Sequence, residues 1–277
     1  MRIDSHQHFW KYHPVKDAWI NEKMKVIRRD FLPSDLEPLL FENQIDGCVA
    51  VQADQSEEET RFLLDLARDN DFIKGVVGWV DLCSENVEER LEYFNKYEKL
   101  KGFRHILQGE SDINFMHMEG FQNGISKLSE YGFTYDILIF PKHLKNAAKL
   151  VAKFPHQKFV IDHLAKPDFK IQNFSQWEKG IIAMAQFPNV MCKVSGLVTE
   201  AHWNRWKAAD FTYCLDVVTD AFGIDRLMFG SDWPVSTLAA SYAELCDIVE
   251  DYFWEFSIED REKFWSRNAI DFYDLKF

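Results

Sequence analysis

The chain has 277 residues, 47% hydrophobic and 28% charged, with only 12 Gly and 8 Pro, a balance that excludes collagenous, fibrous and low-complexity proteins and supplies a sizeable core. Its 32 Lys and Arg against 45 Asp and Glu give a net charge of -13, which repels phosphate backbones and anionic headgroups, so neither nucleic acid nor a membrane is expected as a partner. The length suits one barrel of roughly 250 residues or two small domains, and 24 Phe with 9 Trp leave aromatic material to line a small-molecule pocket.

From the first residues, MRIDSHQHFW enters an alternating strand without a signal-like apolar stretch, and no later run approaches the roughly 18 apolar residues of a membrane span. Strand-type segments lie near 2–8, 46–53, 73–81, 100–107, 132–139, 158–164, 189–196 and 225–232. Several of them, such as GCVAVQA and FIKGVVGWV, are continuous apolar runs, the pattern of strands covered on both faces. Amphipathic helical patterns follow them, with starts at Ser34-Asp35, at Ser56 with Glu59, and at Ser84-Glu85. Others span Pro141 to Phe154, Ser175 to Gln186, and Trp206 to Ala221 closed by Gly223. Strand-then-helix units of this number predict a single-domain α/β fold over 1–277, a (β/α)8 TIM barrel. An open doubly wound sheet would carry a Gly-rich first turn where this chain has SHQHFW. The stretch from Phe9 to Pro33, with Trp10, Tyr12 and Trp19, is too long for an ordinary connection and reads as a lid or pocket wall. The segment from Ser257 reads as a terminal helix on the barrel exterior. Cys48, Cys83, Cys192, Cys214 and Cys246 contain no CxxC pair, which fits a reducing cytoplasm better than a disulfide scaffold.

Chemistry concentrates at strand ends. His6 and His8, two apart on the first strand, share a face and suit metal ligation or hydrogen bonding to a substrate oxygen. The eighth strand ends in MFGSDWP, with Met228, Gly230 and Asp232 on one face, and Gly230 would leave room for a ligand or water. An unpaired carboxylate ending a buried run costs several kcal/mol, so Asp232 should face a metal, a histidine or a water that it activates. On the sixth strand, His163 is expected to share the inward face with Phe159 and Ile161. Together these strands gather three imidazoles and one carboxylate, the composition of a hydrolytic site. His13, His117, His143, His156 and His202 fall in loops or helices, mostly at the surface, with His202 near the pocket mouth.

DSHQHFW, DHLAKP, KVSGL and MFGSDWP, in this order, resemble the amidohydrolase-related family of metal-dependent hydrolase barrels. Within it, DHLAKP and Gly102-Phe103-Arg104-His105 are similar to the branch of sugar-acid lactonases of the L-fuconolactonase and L-rhamnonolactonase type, with 2-pyrone-4,6-dicarboxylate lactonase a relative. The resemblance implies a site at the carboxyl ends of the strands, roles for His6, His8, His163 and Asp232, and hydrolysis of a lactone. It allows one divalent ion, zinc first, held by His6, His8 and Asp232, or none; no Walker loop or GxGxxG asks for a nucleotide cofactor. A binuclear site is disfavoured, because the fourth and fifth strands offer no bridging Lys or Glu.

In the mechanism expected from this reading, Asp232 activates water while His6, His8 and His163 stabilise the oxyanion. Substrate contacts are expected from Gln52, Trp79 or Asp81, Arg104, Lys193 or Ser195, and Lys166, with Trp10, Trp19 and Trp203 offering ring faces. Only a few of these are cationic, which favours a polyhydroxylated lactone over a dicarboxylate. Two alternatives share the barrel: a non-oxidative decarboxylase of an aromatic or unsaturated acid, and a catalytically inactive binding barrel.

Overall fold

Each apolar run becomes a strand in the computed structural model, which describes residues 1–277. The strands are β1 (Ile3–Gln7), β2 (Gly47–Val51), β3 (Ile73–Gly78), β4 (Leu100–His105), β5 (Thr134–Ile137), β6 (Phe159–Ile161), β7 (Val190–Val194) and β8 (Leu227–Phe229). They pair in parallel in sequence order. Past the end of β8 the circle closes on β1 by backbone bonds: Asp232 N donates to His6 O at 2.8 Å and His8 N donates to Trp233 O at 2.7 Å. Eight parallel strands with intervening helices thus form the expected barrel.

The helices are α1 (Pro33–Glu42), α2 (Glu57–Asp69), α3 (Val87–Phe94), α4 (Glu119–Leu128), α5 (Leu144–Lys153), α6 (Ser175–Ala185), α7 (Leu197–Glu200), α8 (Ala209–Phe222), α9 (Tyr242–Tyr252), α10 (Ile258–Glu262) and α11 (Asn268–Tyr273). Ser56 caps α2 by accepting from Glu59 N, and Gly223 ends α8 at φ +69°, as their sequence signals require. The start signal at Ser84 is early: α3 begins at Val87, and the Ser84 hydroxyl donates to Asn86 instead.

Two apolar layers result. Outward residues such as Cys48, Phe103, Ile137, Phe159 and Phe229 pack under the helices in one large core. Ile3, Val49, Val51, Val77, Val160 and Met228 fill the lower barrel, where Phe272, Tyr273 and Leu275 join them. The terminal segment was expected on the exterior; it plugs the amino-terminal end instead, because its last apolar residues have the open barrel floor to bury against. No helix is long and apolar enough to cross a membrane.

Candidate active site

At the carboxyl ends of the strands a cavity of about 420 Å³ opens, with Trp10, Trp19, Ile106, Leu138, Phe140 and Val235 in its apolar lining. His8, Arg104, His163, Lys166, Thr199 and Asp232 supply its polar groups. The β1–β8 seam creates the candidate cluster, because the bonds that close the barrel fix His6, His8 and Asp232 side by side. Gly230, expected to leave room for a ligand or water, leaves it for His6 instead, whose Cβ lies 2.7 Å from where a Cβ on residue 230 would sit.

His6 Nε2 and His8 Nε2 are 3.3 Å apart, and His8 Nε2 lies 3.4 Å from Asp232 Oδ1. His8 Nδ1 donates to Val51 O at 2.7 Å, which leaves its Nε2 facing Asp232. His6 Nδ1 meets Asp162 Oδ1 at 3.2 Å, while Arg104 Nη1 approaches its Nε2 at 3.3 Å. Burial pushes the His6 ring well below the usual histidine range, with Lys193 adding to the effect and Asp162 opposing it. Burial also lowers His163 well below that range. Asp232 goes the other way from most buried carboxyls: burial raises it, but His163, the bond to His8 and Lys166 together hold it below the ordinary range. It is therefore an anion at neutral pH.

These donors fit a single divalent cation. Ligands about 2.0 Å from a tetrahedral zinc stand roughly 3.3 Å from one another, close to the His6–His8 and His8–Asp232 separations, and all three ligand atoms lie within 4.8 Å of one another. The backbone carbonyl on His8 Nδ1 and the carboxylate beside His6 Nδ1 are the outer partners that orient ligating imidazoles. His6, Asp162 and His163 also converge, but Asp162 is already engaged by Arg104 at 3.0 Å and Lys193 at 3.0 Å.

His163 arrives by an unforeseen route. β6 ends at Ile161, Phe159 and Ile161 face the helices, and Val160 faces the barrel interior. Asp162 therefore turns inward, and the backbone runs left-handed through His163, Leu164, Ala165 and Lys166, at φ of 53°, 53°, 56° and 55°. Such a turn costs about 1–2 kcal/mol per residue, and Trp177 of α6 secures it by donating to Leu164 O at 2.6 Å. It delivers both His163 and Lys166 to the cavity wall. Beside it, Gly196 at φ +66° seats the His163 ring, whose Nδ1 would lie 2.8 Å from an added Cβ. Ser195 Oγ is 2.8 Å from the same nitrogen, so with Ser195 donating, the His163 Nε2–H points toward Asp232, 3.8 Å away.

The other expected contacts divide. Trp10, Trp19, Arg104 and Lys166 line the cavity. Gln52 and Lys193, expected as substrate contacts, are both at 0% exposure beneath its floor. Gln52 instead accepts from Arg104 Nε at 3.1 Å, and Lys193 bonds Asp136 at 2.5 Å. Arg104 thus has its guanidinium held by Gln52 and Asp162, and it presents charge to the floor more than free donors. Trp79 bonds His105, Asp81 is exposed, and Trp203 bonds Thr199 O, all outside the cavity lining. His202 is exposed and away from the lining, whereas His143, expected at the surface, is buried and accepts from Phe140 N at 3.2 Å.

Sequence reasoning passed over Asp136, Asp162, Thr199 and Glu200. The first two carry the signal used for Asp232, a carboxylate on an apolar strand or at its end. Burial raises Asp136 to about 6 although Lys193 opposes it, and Asp162 adds to the rise. Thr199 and Glu200 belong to α7, which has no periodicity to announce it; Thr199 Oγ1 donates to Asp232 Oδ2 at 3.3 Å and Glu200 pairs with Lys166 at 3.0 Å.

The family model described as Amidohydrolase matches residues 3–275, in agreement with the resemblance read from the motifs. The L-fucono-1,5-lactonase of Burkholderia multivorans is 41% identical, over 99% of this chain and 96% of its own length. The L-fucono-1,5-lactonase of Burkholderia ambifaria is 34% identical, over 99% of this chain and 96% of its own. A crystal structure of an amidohydrolase from Burkholderia multivorans with bound zinc superposes at a TM-score of 0.96, with 40% identity and 100% of both chains covered.

Proposed function

Because this chain belongs to the amidohydrolase family, we propose that it hydrolyses a sugar-acid lactone, with L-fucono-1,5-lactone the first candidate, in the breakdown of a sugar in the cytoplasm. The observation that carries this reading is the Asp232 carboxylate, 3.4 Å from His8 and 3.8 Å from His163 in a half-apolar cavity, beside relatives of nearly full-length match that are L-fucono-1,5-lactonases. The scattered, unpaired cysteines fit a reducing compartment.

Asp232 accepts a proton from water as its oxygen attacks the lactone carbonyl. The His163 N–H and the Arg104 charge stabilise the oxyanion that forms. When the carbon–ring oxygen bond breaks, the ring oxygen recovers a proton from the Asp232 carboxyl, leaving a hydroxy acid that ionises to its carboxylate. His6 and His8, with Asp232, would hold a divalent ion, zinc by the nature of the donors, which when bound lowers the pKa of an attached water to about 7. Trp10, Trp19 and Phe140 cover the apolar face of the sugar ring.

The test is lactone opening, followed by proton release over L-fucono-, L-rhamnono- and D-galactonolactones, with metal content measured on the same preparation. Asp232→Asn is expected to lose at least ~10² in kcat, the lower end of general-base catalysis. Near-normal turnover by that variant, or wild-type rates no faster than spontaneous opening on every lactone, would overturn the reading.

A further inference from the structure

Three cations stand at the cavity or directly beneath it, and each has a carboxylate of its own. Arg104 meets Asp162 at 3.0 Å, Lys193 meets Asp136 at 2.5 Å, and Lys166 meets Glu200 at 3.0 Å. Asp232 is the fourth carboxylate, the one a divalent ion would share with His6 and His8, and none of the three side-chain cations is left unpaired. The first two pairs are sealed, with side chains no more than 3% exposed. The Lys166–Glu200 pair differs: its side chains are 15% and 21% exposed, and Lys166 lines the cavity.

Lys166 has its position imposed by the left-handed turn, and its ammonium stands 5.5 Å from the Phe140 ring centroid on the cavity wall. An ammonium fixed there would be a receptor for a carboxylate, were Glu200 not already occupying it. We propose that Glu200 is a specificity-determining residue: by pairing with Lys166 it closes the cavity to carboxylate-bearing lactones and weakens the hold on the carboxylate that hydrolysis creates. The inference rests on the lactonase reading. The reaction turns a neutral lactone into a carboxylate, and with Lys166 held by Glu200 that carboxylate finds no free ammonium on the cavity wall.

The test uses Glu200→Gln and Glu200→Ala, each checked for a wild-type-like melting temperature, and Glu200→Gln combined with Lys166→Met. Calorimetric titration with sodium L-fuconate reads product binding directly. The expected result is about tenfold tighter binding in both single variants, the effect of freeing one charge pair, and a return to weak binding in the double variant. In turnover, the ratio of kcat/KM for D-glucarolactone, which carries a carboxylate, to that for L-fuconolactone should rise by a similar factor in the single variants. Unchanged fuconate affinity in folded Glu200→Gln overturns the proposal, as does tightening that persists without Lys166. If wild type opens none of the lactones, the lactonase reading fails by itself, and the calorimetric comparison still decides whether Glu200 blocks a carboxylate site.

Discussion

Three side chains, His8, His163 and Thr199, surround the Asp232 carboxylate. The Asp232 backbone, at φ +56°, takes a conformation that few residues other than Gly, Asn and Asp tolerate. Oδ1 faces His8 and His163, while Oδ2 accepts the Thr199 hydroxyl at 3.3 Å. That hydroxyl holds the carboxylate plane, so Thr199→Val should reduce kcat about tenfold with little change in KM, the signature of a lost orienting bond of about 1 kcal/mol or slightly more. Thr199→Ser should retain most of the activity. Steady-state kinetics of both variants check this, and equal losses in the two would deny the hydroxyl a part. Arg104 acts through its charge, with its donors directed to Gln52 and Asp162. Replacing it by Lys would keep the charge but lose the fork that spans both partners.

At the scale of elements, two connections do most of the positioning. The left-handed turn after β6 presents His163 and Lys166, and the β7–α7 connection meets it with Ser195, Gly196, Thr199 and Glu200. Each segment places residues that the other holds. The seam between β1 and β8 is equally demanding: a Cβ at Gly230 would lie 2.7 Å from His6 Cβ and 3.1 Å from Ser195 Cβ, both close to the backbone and unable to yield. Gly230→Ala should therefore lower the unfolding free energy by about 1–3 kcal/mol, as overpacking does. It should also cut kcat more than its loss of stability explains, because His6 and Ser195 must shift. Urea unfolding alongside kinetics tests this, and a variant with normal values for both would contradict the packing argument.

Across the whole molecule, the barrel interior joins the terminal plug to the site. The Tyr273 hydroxyl donates to Asp136, Lys193 bridges Asp136 and Asp162, and Asp162 pairs with Arg104 beside His6. All four ion-pair members are buried, so removing one leaves an uncompensated charge. Lys193→Met should destabilise the fold by about 3–5 kcal/mol, read from the urea midpoint. The double change Lys193→Met with Asp136→Asn should recover part of that loss, since one of the stranded carboxylates is gone. No recovery would mean that the packing of Lys193 matters more than its charge.

The apolar runs by themselves determined the number and order of the strands and the parallel barrel, because strands buried on both faces must be nearly all apolar. They also point to the candidate cluster, since ionisable residues such as His6, His8 and Asp232 ending such runs have no cheap structural explanation. The same patterns overran every strand at its carboxyl end: the reading continued to His8, to residue 164 and to Asp232, where the ladders stop at Gln7, Ile161 and Phe229. Those residues are buried like strand residues but obey no period of two, so the alternation that would turn His163 inward with Phe159 and Ile161 fails there, and Asp162 turns inward ahead of it. Only the tertiary structure decided which polar groups face the cavity and which serve each other. Gln52, Lys193, Glu200 and Thr199 take their roles from partners 52, 57, 34 and 33 positions away in sequence, and a charge's effect depends on the partner that folding places beside it.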